Sequence, residues 1–220
     1  MNVAVRVKIC CIADEAEAQL AIAHGAAAIG LVSAMPSGPG VIDDATVARV
    51  AAAVHGQPVR SFLLTARTRA DDIAAQHAAA GTTTLQLVDH VPLPELQRLR
   101  ARVPGVELVQ VVHVTGEASL HEARAVAPFV DALLLDSGNP QAAVKQLGGT
   151  GRTHDWALAR RIRDAVFPLP LWLAGGLRVH NVAEAIATVQ PHGLDLCTGV
   201  RLNGRLHAPT LAAFMAAVSA

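Results

Sequence analysis

Short apolar, β-branched runs alternate with helical stretches from one end of this chain to the other, and that strict alternation constrains the fold more than any other feature. Strand-like runs are read at 5–11, 27–32, 59–65, 83–88, 107–113, 130–135, 169–174 and 194–197. Helical stretches are read between and after them, at 14–24, 43–54, 69–80, 92–102, 117–127, 155–166, 178–189 and 210–218. Asp14, one of Asp43 and Asp44, and Asp155 stand where helix N-caps belong, and Gly25 and Gly81 where helices stop. Alternating strand and helix implies a parallel sheet with right-handed crossovers. Eight units without a composition break predict an α/β fold, a single (β/α)8 TIM barrel spanning residues 1–220. An open doubly wound sheet would need a switch point, and no dinucleotide fingerprint marks one.

Hydrophobic residues make up 52% of the chain but aromatic ones only 3%, so Ala, Val and Leu must fill the core. Such residues suit helices packed closely over a parallel sheet. Lys plus Arg equals Asp plus Glu at 18 each. No global field then favours nucleic acid or a membrane surface, and any anion must be held locally. Cys10, Cys11 and Cys197 are odd in number and in no disulfide or zinc spacing, so a reduced, cytoplasmic, soluble protein is expected. No secretory leader and no membrane-length apolar run are read. The ten histidines form no His-x-His or His-Glu-x-x-His pattern, so no metal is expected.

A barrel places its chemistry on the loops after the strands. The sixth apolar run ends on a carboxylate, Asp136, and its loop closes on Gly148-Gly149-Thr150-Gly151 before a helix begins. Gly175-Gly176 follows the seventh strand and Thr198-Gly199 the eighth. Glycine lets backbone N–H groups approach phosphate oxygens, and these late loops are where such barrels bind phosphate. A phosphorylated small-molecule substrate is the partner these loops predict.

Val7-Lys8-Ile9-Cys10, Leu134-Leu135-Asp136-Ser137, Gly148 through Trp156, Leu173-Ala174-Gly175-Gly176-Leu177 and Gly193 through Val200 together resemble the phosphoribosylanthranilate isomerase family. The resemblance implies an Amadori rearrangement in tryptophan biosynthesis, aminoaldose to aminoketose, with no metal or organic cofactor. It implies Asp136 as the acid that opens the ribose ring and Cys10 as the base that takes the C2' proton. A thiol whose pKa is depressed beside the cationic imine and a carboxyl with raised pKa are expected for these roles. Backbone amides near Gly149, Thr150, Gly151, Gly175, Gly176, Gly199 and Val200 would hold the phosphate, and Gln86 would line the pocket. The chain departs from the family pattern in four places. Cys11 replaces the glycine after the cysteine, and Pro36-Ser37-Gly38-Pro39-Gly40-Val41 stands where a Ser-Pro-Arg-Tyr-like loop is usual. Gln86-Leu87-Val88-Asp89-His90 replaces Gln-Leu-His-Gly, and Arg201 replaces a glutamate.

Other polar residues carry plainer readings. Cys11 and Cys197 read as small buried hydrophobes, Asp195 as a structural ion-pair partner, and Asp89 and His90 as solvated. His113 and His154 read as locally hydrogen-bonded, and Asp155 and Trp156 as cap and packing residue. Arg201 reads either as a solvated loop charge or as a partner for a substrate carboxylate. The loop 33–40 reads as a lid. An epimerase or lyase on a related phosphorylated sugar is an alternative, as is a phosphate-binding barrel without activity. The chain's two lysines, Lys8 and Lys145, lie at no late strand end, which speaks against a Schiff-base enzyme. Either a monomer or a homodimer is expected.

Overall fold

The computed structural model describes residues 5–138 and 153–220. Eight parallel strands close on themselves: β1 (Arg6–Ile9), β2 (Ala28–Val32), β3 (Arg60–Thr65), β4 (Thr84–Leu87), β5 (Glu107–His113), β6 (Ala132–Asp136), β7 (Leu171–Leu173) and β8 (Gly193–Leu196). Closure is made by β1 pairing with β8, Lys8 opposite Asp195 and Ile9 opposite Leu196. Helices α1 (Glu15–Ala23), α2 (Asp44–Ala53), α3 (Ala70–Ala80), α4 (Leu93–Arg102), α5 (Ala118–Val126), α6 (Trp156–Val166), α7 (Val182–Val189) and α8 (Ala208–Ser219) alternate with the strands. A small hairpin, β9 (Arg201–Leu202) and β10 (Arg205–Leu206), precedes α8. The (β/α)8 barrel is therefore the fold of this chain.

The caps behave as their residue types require. Asp14 accepts from Glu17 N at 2.9 Å, Asp43 from Thr46 N at 2.6 Å and Asp155 from Leu158 N at 3.0 Å. Two helix boundaries differ from the sequence reading by more than one residue. The seventh helix begins at Val182 rather than at 178, because Asn181 Oδ1 accepts from Arg178 N and makes those residues a capping turn. The last begins at Ala208, with Pro209 tolerated in its first turn.

Strand pleating divides the apolar residues into two sets. Val7, Ile9, Ile29, Leu31, Leu133, Leu135 and Leu173 pack with helix residues such as Val47, Ile73 and Leu96 in the outer layer. Cys10, Ala28, Phe62, Leu64, Val109, Leu134 and Trp172 fill the barrel interior. Aromatic scarcity is met by concentration: Trp172 lies edge-on to Phe62, centroids 5.8 Å apart, and plugs the barrel. Gly193 makes room for it, since a methyl group there would come within 2.5 Å of the indole ring.

Candidate active site

One cleft at the carboxyl ends of the strands gathers residues that end or follow seven of them. Cys10, Gln86, Asp136, Asp195, Gly175, Gly176 and Gly199 all line it, with Met35, Ser37, Gly38 and Pro39 of the loop after β2 at its mouth. The loop expected to act as a lid thus forms a wall of the cleft. Cys10 follows β1 and is buried, while Asp136 ends β6 with its carboxyl facing the same space.

The two titratable groups are shifted in the same direction. Burial raises the Asp136 carboxyl above its ordinary value, opposed by a hydrogen bond from Ser137 N to Oδ1 at 2.7 Å and by His113 nearby. A protonated Asp136 is what an acid role requires. Burial also pushes the Cys10 thiol up to about 11, against the charge of Lys8, which acts to lower it. The protein's own charges leave the thiol raised, because desolvation outweighs them.

Beneath these groups lies a charged network inside the barrel. Lys8, fully buried, donates to Asp195 Oδ2 at 2.9 Å and to Gln86 Oε1 at 2.8 Å. Its ammonium stands 5.0 Å from the Phe62 ring centroid. Asp195 is thus an ion-pair partner, as its sequence position suggested. Gln86 gives its carbonyl to Lys8, which can only donate, and so keeps its amide nitrogen for the cleft it lines. Lys8 escaped notice as a site residue; its place two residues before Cys10, on the same strand face, was the available signal.

The loops expected to hold phosphate are built as glycine permits. Gly175 and Gly176 have φ of 89° and 64°, a region side chains avoid. Asn181 Nδ2 donates to Gly176 O at 3.1 Å, holding this turn against the start of α7. A side chain on Gly199 would run into the Leu177 carbonyl, so the loops after β7 and β8 meet there. Val200, by contrast, is fully buried in the outer layer and does not line the cleft. Gly149, Thr150 and Gly151 lie outside the described residues.

Four sequence readings require correction. Arg201 is neither solvated nor directed at substrate: its guanidinium pairs with Glu17 at 2.9 Å and donates to the carbonyls of Cys10, Cys11 and Gly204. The pairing arises because β8 closes against β1 and brings the loop after β8 over the start of α1. The same closure joins Cys11 to Cys197 in a disulfide, their Cα atoms 5.8 Å apart, where two unpaired thiols in a fully reduced chain were expected. Cys10 alone is free. Asp89 is buried and accepts from His90 N at 2.9 Å, whereas His90 is exposed as expected. His113 bonds locally through Nε2 to Val88 O at 3.1 Å, but neither ring nitrogen of His154 has a partner among the described residues.

Comparison with known proteins converges on one family. The family model described as N-(5'-phosphoribosyl)anthranilate (PRA) isomerase matches residues 7–217. An N-(5'-phosphoribosyl)anthranilate isomerase of Synechococcus elongatus is 37% identical over 198 residues, covering 89% of this chain and 87% of that one. The crystal structure of phosphoribosyl anthranilate isomerase from Thermotoga maritima matches with a TM-score of 0.82 and 26% identity over 98% of both chains. A phosphoribosyl anthranilate isomerase in complex with reduced 1-(o-carboxyphenylamino)-1-deoxyribulose 5-phosphate shares the fold, with a TM-score of 0.80 at 24% identity over 98% of both chains.

Proposed function

The chain belongs to the N-(5'-phosphoribosyl)anthranilate isomerase family, isomerases of tryptophan biosynthesis, and from that premise we propose that it rearranges N-(5'-phosphoribosyl)anthranilate through Asp136 and Cys10. Asp136, kept protonated by burial, gives its proton to the ribose ring oxygen as the ring opens to an iminium. Cys10, as thiolate, removes the C2' proton, and the resulting enamine tautomerises to the aminoketose. The phosphate lies against the amides around Gly175, Gly176 and Gly199, and Gln86 offers its amide to a sugar hydroxyl. The observation that carries this reading is the meeting of Cys10, Asp136 and both glycine loops in one cleft.

A related N-phosphoribosyl amine is the second reading. It is favoured because no Arg or Lys is among the described residues lining the cleft, so no cation there meets the anthranilate carboxylate. Turnover of freshly generated phosphoribosylanthranilate by the wild type, Cys10→Ala and Asp136→Asn separates the possibilities. Consumption by the wild type, with each variant reduced by about a thousandfold or more in kcat, supports both assignments. Absence of turnover with inorganic phosphate still bound would favour another amine or a binding role. The protein is further proposed to act in the cytoplasm as a monomer or homodimer, which cell fractionation and sedimentation would test.

A further inference from the structure

We infer that Lys8 is the counter-cation of the Cys10 thiolate and that Asp195 governs how strongly it acts, making both positioning residues for the reaction. The inference rests on the reading of Cys10 as base. Lys8 lies on β1 and Cys10 just after it, two residues apart, and both point into the barrel. Both pack over Gly30 of β2: a methyl there would stand 2.8 Å from Cys10 Sγ and 3.2 Å from Lys8 Cε. A larger residue at this position would separate the thiol from the ammonium side chain.

Asp195 completes the arrangement in a way a purely structural pair would not. A buried ion pair kept for stability satisfies its remaining lone pairs. Here Oδ2 takes the ammonium, while Oδ1 is buried with no partner among the described residues, on a side chain that lines the cleft. The other charged or titratable groups near Cys10 are Asp136 from β6, with His113 of β5 beside it, and Arg201, which donates to the Cys10 carbonyl. Arg201 is neutralised by Glu17. Asp136 is protonated in its acid role. Among the described residues, Lys8 is left as the cation available to a thiolate, and Asp195 as the charge that competes for it. Desolvation otherwise holds the thiol protonated, which is why an adjacent cation matters to a buried base.

The test is the pH dependence of iodoacetamide alkylation of the oxidised protein, in which Cys10 is the free thiol. Asp195→Asn removes the competing charge, and the alkylation midpoint should fall by about one pH unit or more. Lys8→Met alone strands a buried carboxylate and risks misfolding, so the Lys8→Met/Asp195→Asn pair is the partner variant. Its midpoint should stay at or above the wild-type value. Equal midpoints in all three proteins would overturn the inference. The pH profile of kcat/KM keeps the two readings apart. If the thiol midpoint moves while the turnover profile does not, the counter-cation stands and Cys10 is not the base.

Discussion

Arg201 and Glu17 form an ion pair that is buried on both sides, with side-chain exposures of 8% and 5% and an N–O distance of 2.9 Å. The Glu17 carboxylate also accepts from Ala13 N and Leu206 N, and the Arg201 Nη2 that pairs with it donates as well to the carbonyls of Cys10 and Cys11. The pair therefore ties α1, the turn after β1 and the β9–β10 hairpin into one unit around Cys10. Cys11 has a φ of 62° there, a backbone region that ordinary side chains seldom occupy.

Arg201→Met is expected to cost about 3–5 kcal/mol, because it leaves the Glu17 carboxylate buried without its cation. Urea unfolding measures this directly. Burial works to raise Glu17, but Arg201 and the Leu206 amide outweigh it and hold the carboxyl below its ordinary 4.5. In the wild type this stability is present above pH 4.5 and lost as pH falls through the lower folded value. The variant's deficit should shrink on acidification; a deficit independent of pH would contradict the pairing.

Asp136→Asn should be more stable than the wild type near neutral pH even though the proposed mechanism makes it inactive. Burial raises the folded-state pKa of Asp136, so the folded protein retains a proton that the unfolded chain releases above 3.8. Stability due to this group is full below 3.8 and falls as pH rises through the folded value. Thermal melting across pH should show the variant's advantage growing with pH and vanishing in acid.

Gly193→Ala should lose about 1–3 kcal/mol or more, since its methyl would meet the Trp172 ring at 2.5 Å. A second substitution, Trp172→Leu, should recover part of that loss by clearing the space. Failure of the double variant to improve on Gly193→Ala would show that the glycine is needed for its backbone alone.

The oxidised protein should present one reactive thiol when denatured without reductant and three after reduction, because Cys11 and Cys197 are paired. The bond closes a loop with a sequence separation of 186 residues, so reduction should destabilise the fold by up to about 5 kcal/mol in the chain-entropy account. Three thiols at the outset would remove the disulfide.

The barrel, the caps at Asp14, Asp43 and Asp155, and the placement of Cys10 and Asp136 at strand ends were legible in the sequence. Each depends on periodicity and residue type over a few positions, and local backbone physics decides such features. Cys10 could be placed at a strand end from the sequence but not read as a group that burial raises, since desolvation depends on everything packed around it. The pairings of Lys8 with Asp195, Arg201 with Glu17 and Cys11 with Cys197 were decided by tertiary structure alone. They join residues 187, 184 and 186 positions apart. Those residues became neighbours because β8 hydrogen-bonds to β1, and which side chains meet across that closure is a matter of register that local spacing does not encode.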